Sequence, residues 1–153
     1  MISVAAYRSL VGHWDTATSF QFAALAAYCD VNAPKSIVLV GMMGAGKSSV
    51  GRCLQQRTGL ARLDTDDLIA AEFGISIAEI FKKHGEAAFR DAETNLLRKL
   101  APARSVIVVT GGGIVLRPQN VELLKNLGTM VWLTADESML FERASRLRNG
   151  QTV

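Results

Sequence analysis

Residues 41–48 read Gly41-Met42-Met43-Gly44-Ala45-Gly46-Lys47-Ser48, and they follow the aliphatic run Ile37-Val38-Leu39-Val40. A glycine-rich turn that ends in Lys-Ser, directly after a strand, is the pattern of a phosphate-binding loop. Its glycines let the backbone curl so that successive N–H groups point at one anion. Lys47 is placed to reach the outer phosphates of a nucleotide, and Ser48 offers a hydroxyl to the ion those phosphates carry. From Ser49 to Arg57 the chain continues at helical spacing, with Val50, Cys53 and Leu54 on one face. That helix aims its positive end at the loop. ATP or GTP is the expected ligand.

Outward from this loop, strand and helix alternate. Ser36–Val40 reads as a strand buried on both faces. Gly59 closes the helix after the loop, and Ala61-Arg62-Leu63 is a short second strand leading to Asp64. Thr65–Phe73 is expected to be helical, with Gly74 after its last turn. Ser76 and Glu79 form a capping box, and Ile75 and Ile80 occupy the positions of a hydrophobic staple. The spacing predicts a short helix ending at Gly85 and a longer one over 86–100, with Phe89, Ala92, Leu96, Leu97 and Leu100 on one face. Ser105–Val109 is a third strand, followed by Gly111-Gly112-Gly113. A helix from Pro118 to Gly128, a strand over 129–133 and a helix over 136–148 complete the order. The alternation implies an α/β fold around a parallel sheet.

The 153 residues suffice for one domain; 49% are apolar, 20% are charged, and the net charge is +3. That suits an anionic substrate, but there is no Lys/Arg stripe with interleaved aromatics, so no nucleic-acid partner is expected. Cys29 and Cys53 lack metal or redox spacing, and Cys53 reads as a small core residue. No apolar run reaches membrane-spanning length. Residues 1–34 are expected to form an N-terminal extension, helical or partly disordered, punctuated by Asn32-Ala33-Pro34, with the folded domain over 35–153. His13 and His84 have no partner at catalytic or metal spacing. The dipole of the helix that ends before Gly85 accounts for His84.

Asp64 and Asp66 flank Thr65 where the second strand ends, on the side where open parallel sheets bind ligands. Two residues apart, both carboxylates can face the phosphate loop. One can then support a metal shell while the other accepts a proton from an attacking hydroxyl. The alternative is that Asp64 caps the next helix and Asp66 and Asp67 complement its dipole. Arg90 and Glu93 fit either a solvated i,i+3 pair or an inward arginine that clamps a carboxylate with Glu93 orienting it. The triple glycine gives a small substrate close access to backbone N–H groups, or simply makes a tight turn.

Together these segments resemble the shikimate kinase family. The resemblance rests on residues 41–48, Leu63-Asp64-Thr65-Asp66, Ser76-Ile77-Ala78-Glu79-Ile80-Phe81, Phe89-Arg90 with Glu93, and Gly111–Gly113. It implies a P-loop fold of the nucleoside-monophosphate-kinase type in three layers, and transfer of the ATP γ-phosphate to the 3-hydroxyl of shikimate in aromatic amino-acid biosynthesis. Gly44, Ala45, Gly46, Lys47, Ser48 and Ser49 would cradle ATP, and Ser48 and Asp64 would hold Mg²⁺. Lys47 and Asp66 would be catalytic, with Asp66 as base. Asp66, Arg90, Gly111, Gly112 and Gly113 would bind shikimate. A cytoplasmic monomer with no membrane partner is expected.

The family continues into a lid that opens with Arg-Pro-Leu-Leu and then into a further strand and helix, each part bringing an arginine to the site. The printed sequence stops at Gly150-Gln151-Thr152-Val153. The resemblance therefore implies a C-terminally incomplete domain, lacking the last strand and helix, with weak or absent kinase activity. Arg146 or Arg148 is left as the adenine-side arginine. Strand 129–133 would then be an apolar edge prone to aggregation, partly covered by segment 16–29. The competing readings are a non-catalytic ATP- or shikimate-binding module and another small-molecule kinase, such as a gluconate kinase. The latter shares the loop but does not explain Arg90, Glu93 and the triple glycine together.

Overall fold

A computed structural model describes residues 36–148, apart from 101 and 103. The expected extension over 1–34 lies outside the described residues.

The chain runs β1 (Ser36–Val40), α1 (Lys47–Thr58), β2 (Ala61–Asp64), α2 (Thr65–Phe73), α3 (Ile77–Lys99), β3 (Val106–Val109), α4 (Pro118–Leu127), β4 (Gly128–Trp132) and α5 (Glu137–Arg148), with a 3₁₀ turn at Ile114–Leu116 between β3 and α4. The four strands form one sheet in the order β2-β3-β1-β4, and every pairing is parallel. Ile37 pairs with Ile107 and Thr129, which puts the most buried strands, β1 and β3, side by side in the middle. A parallel sheet has helices on both faces, so these central strands are aliphatic apart from the buried Ser36, whose Oγ accepts Val106 N–H at 3.3 Å.

Alternation along the strands sends side chains to opposite faces. Val38, Val40, Val106 and Val108 pack with Leu97, Ile114 and Leu124. Ile37, Leu39, Ile107 and Val109 pack with Leu54 of α1. A third cluster, Ile69, Ile80, Phe89 and Leu96, joins α2 to α3, and Ile75 and Ile77 pack against it. The capping box is complete: Glu79 N–H donates to Ser76 Oγ at 3.3 Å, and Ser76 N–H to Glu79 Oε2 at 3.1 Å.

The two helices expected on either side of Gly85 run on as one element. The chain nevertheless leaves helical geometry at Gly85 (φ 79°, ψ 171°), a conformation that only glycine adopts cheaply. The break expected there is present. β4 begins one residue earlier than the sequence suggests, because Gly128 both ends α4 and pairs with Ser36. α1 likewise starts at Lys47, two residues early, since a phosphate loop hands over to its helix at the lysine. Cys53 is half-buried, not a core residue; Leu54 takes the innermost position of that helix. His84 is exposed, with its ring edge-on to Phe73 at 5.5 Å. Among the described residues, no helix is long and apolar enough to cross a membrane.

Candidate active site

The loop after β1 and the first turn of α1 form the floor of the site. Gly44 and Gly46 take positive φ angles of 81° and 88°, and Ala45 N–H closes a turn onto Met42 O at 3.2 Å. No side chain caps α1, and its first turn holds no acidic residue. The amides of Lys47, Ser48 and Ser49 therefore open a helix whose N-terminal donors suit an anion. Lys47 is buried, and its ammonium is folded back on the loop, donating to Gly41 O at 2.7 Å and Met42 O at 2.9 Å. Burial lowers its pKa, and the charges of Asp66 and Asp64 oppose that shift. Ser48 and Ser49 are exposed at the same end of the helix.

For Asp64 the structure shows the capping reading. Its Oδ1 accepts Asp66 N–H at 3.2 Å as the N-cap of α2, and its Oδ2 pairs with Arg62 at 3.2 Å. Asp66 does more than complement a dipole. Its Oδ1 is buried without a hydrogen-bond partner among the described residues. Its carboxyl is raised from 3.8 to about 6, first by burial, then by the like charges of Asp64 and Glu93, against the pull of Lys47. A buried, unpartnered acceptor at a site is a group waiting for a donor.

Arg90 is not a solvated i,i+3 pair: it turns inward onto a buried Glu93. Arg90 Nη1 donates to Glu93 Oε2 at 2.8 Å, while Nε and Nη2 reach Glu86 Oε1 at 3.2 and 3.1 Å. Glu93 is fully buried and the Arg90 side chain is 17% exposed, so this is no solvated pair. Burial opposes the charge on Arg90, but its bonds to Glu93 and Glu86 outweigh burial and raise its pKa. Glu93 is raised by burial, against the attraction of Arg90. Glu93 Oε1, like Asp66 Oδ1, has no partner among the described residues.

The three glycines each abut a different part of the site. A Cβ on Gly111 would lie 2.5 Å from Asp66 Oδ1 and 3.3 Å from Glu93 Oε1. One on Gly112 would lie 3.1 Å from Met43 N in the phosphate loop, and one on Gly113 would lie 2.5 Å from Arg90 Nη2. The turn thus brings the nucleotide loop, the Asp66 carboxylate and the Arg90 guanidinium to one backbone. Ser48 and Asp64 supply hard oxygen donors, the type that binds Mg²⁺ beside phosphates and water. Among the described residues no cluster of three or more His, Cys, Asp or Glu side chains could hold a metal by itself. A metal here would take most of its ligands from the nucleotide.

Two contributors were not singled out from sequence. Buried Thr65, between the two aspartates, accepts Gly111 N–H through Oγ1 at 3.0 Å and so ties the start of α2 to the glycine turn. Its place in the Asp64-Thr65-Asp66 triplet was the available signal. Arg143 of α5 donates to Gly44 O at 3.4 Å. The side chains of Arg146 and Arg148, expected on the adenine side, lie outside the described residues.

The shikimate kinase family profile matches residues 43–152. A shikimate kinase from Thermodesulfovibrio yellowstonii is 41% identical over 115 residues, which make up 75% of this chain and 66% of the relative. Among solved structures, the Acinetobacter baumannii shikimate kinase in complex with shikimate superposes with a TM-score of 0.71 at 38% identity, over 76% of this chain and 65% of that one. A gluconokinase from Sinorhizobium meliloti reaches a TM-score of 0.50 at 25% identity, over 78% of this chain and 68% of that one. The chain spans about two thirds of the length of the relatives it matches. The order of strands and helices, the phosphate loop and the profile over most of the chain agree, and this chain belongs to the shikimate kinase family.

Proposed function

We propose that this chain carries the Mg-ATP and shikimate sites of a shikimate kinase, and that these sites transfer the γ-phosphate of ATP to the 3-hydroxyl of shikimate. The supporting observation is the glycine turn at 111–113, whose three members face Asp66, the phosphate loop and Arg90 in turn. A polyhydroxylated ring bearing a carboxylate needs that combination: a fork for the carboxylate, an acceptor for the hydroxyls, and phosphate donors alongside.

In this reading the Arg90 guanidinium binds the substrate carboxylate through paired N–H donors, and Glu93 holds the fork in place. Asp66 Oδ1 accepts a hydrogen bond from the ring hydroxyl. As that oxygen bonds to the γ-phosphorus and the bond to the β-bridging oxygen breaks, its proton passes to Asp66 and ADP leaves. Lys47 exchanges its two loop carbonyls for phosphate oxygens, and the first-turn amides at Gly46, Lys47, Ser48 and Ser49 hold the phosphates in line. Ser48 and Asp64 would hold magnesium, which when bound would supply neutralisation of charge on the phosphates. Gly44 and Ala45 shape the loop around the phosphates. The domain over 35–153, C-terminally incomplete in this reading, carries these sites. Its setting in this reading is the cytoplasm, and it acts there as a monomer.

Calorimetric titration with Mg-ATP and with shikimate, together with a coupled assay of ADP release with and without shikimate, tests this. Binding of both, and ADP release that depends on shikimate, is the expected result. Binding without release would leave a nucleotide- and shikimate-binding module. Failure to bind shikimate would overturn the substrate assignment.

A further inference from the structure

Asn120 lies in the first turn of α4 and is fully buried. Both ends of its amide are used. Nδ2 donates to Ile114 O at 2.9 Å, and Oδ1 accepts the Thr94 hydroxyl at 2.8 Å. Ile114 follows Gly113 directly, and its side chain is anchored in the cluster with Val38, Leu97 and Leu124. Thr94 is buried on α3 one turn beyond Arg90, with its hydroxyl 3.1 Å from Arg90 O and accepting from Arg117 Nη1 at 3.3 Å. Arg117 is held in turn by Asp91 at 2.7 Å. Asn120 therefore joins the residue that ends the glycine turn to the helical turn that carries Arg90.

This bracket spans a narrow gap. Gly113 approaches the Arg90 guanidinium so closely that a Cβ would lie 2.5 Å from Nη2. The side-chain contacts across the gap involve charged groups that also answer to Glu86 and Glu93, so they do not fix the backbone of the turn. The Asn120 bond holds the carbonyl of Ile114, directly after Gly113, where Ile114 N–H to Gly111 O and Leu116 N–H to Gly113 O carry that hold back into the glycine turn. Forked recognition of a carboxylate tolerates little error in that separation. A buried polar bracket among aliphatic side chains is also costly to keep unless both its ends are bonded.

We propose that Asn120, acting with Thr94, is a positioning residue that sets the separation between the Arg90 guanidinium and the Gly113 backbone, and so tunes the site to its carboxylate substrate. The inference rests on reading that gap as the carboxylate site.

The test uses three variants of the full chain. Thr94→Val removes the hydroxyl at nearly constant shape, and Thr94→Ser restores it. Asn120→Asp keeps the size but sets an oxygen against Ile114 O. Calorimetry measures the dissociation constants for shikimate and Mg-ATP. Amide resonances of Gly111–Gly113 and the Arg90 Nε–H resonance are recorded without ligand. Thr94→Val and Asn120→Asp should weaken shikimate binding about tenfold or more while Mg-ATP affinity stays within about twofold, and Thr94→Ser should bind nearly as the unaltered chain does. The Gly113 and Arg90 resonances should shift together. Unchanged shikimate affinity in folded variants, or equal weakening of both ligands, would overturn the proposal. If Asn120→Asp does not fold, the Thr94 pair decides. If the unaltered chain takes no shikimate, the reading of the site fails by itself. The resonances then decide the bracket: static Gly113 and Arg90 signals in Thr94→Val overturn it, and shifted ones support it.

Discussion

Arg90 and Glu93 meet at 2.8 Å with the glutamate wholly out of solvent, and Glu86 takes Nε and Nη2, so the arginine is held on two sides while its two Nη atoms lie along Gly113. An arginine fixed in this way presents donors without having to be ordered again when an anion arrives.

Removing Arg90 strands a buried carboxylate. Arg90→Met should destabilise the chain by about 2–4 kcal/mol near neutral pH. Adding Glu93→Gln to that background should recover much of the loss. Melting curves of the single and double variants check this, and additive losses would contradict it. Shikimate binding should be lost in both variants.

The three glycines should fail differently when each is changed to alanine. The methyl at Gly111 meets Asp66, and the one at Gly113 meets the movable tip of Arg90. Both should weaken shikimate binding tenfold or more, a loss of about 1.4 kcal/mol or above. The methyl at Gly112 meets backbone of the phosphate loop, so Gly112→Ala should weaken Mg-ATP as well. Titrations with each ligand separate the two patterns.

Asp66 should trade stability for function. Its carboxyl is raised from 3.8 to about 6, so between those values the folded chain keeps a proton that the unfolded chain has released. Stability from this group is therefore present below about pH 4 and lost as pH rises through about 6. Asp66→Asn in the ligand-free protein should gain about 1–2 kcal/mol at pH 7, allowing for partial solvent screening, and nothing below about pH 4. Phosphoryl transfer should be abolished. Thermal melts across pH, paired with the ADP-release assay, check both halves.

Thr65→Val should loosen the glycine turn by leaving Gly111 N–H without its acceptor. The expected cost is about 1–3 kcal/mol of stability. Thr65→Ser should restore most of it. Chemical denaturation of the two variants measures the difference.

Much of this was legible because the signals are local. The phosphate loop, the capping box at Ser76 and the break at Gly85 each depend on residues within a few positions of one another. Arg90 was ambiguous for a physical reason: an i,i+3 pair has the same spacing whether it faces water or a pocket. Asp64 caps α2 as its position before the helix suggests, while its pairing with Arg62 two residues back is an ordinary strand contact that the spacing did not single out. Thr94 and Asn120 were invisible, since a threonine inside a helix and an asparagine in a first turn are ordinary until their 26-residue separation closes to 2.8 Å. The one-residue slip at β4 arose because Gly128 belongs to both the helix end and the strand.

The ammonium of Lys47 is lodged on Gly41 O and Met42 O, so the loop is braced by its own cation. The amides at 46–49 have no such partner among the described residues, so their hydrogen exchange should be fast before any nucleotide is added and should slow strongly on saturation with Mg-ATP.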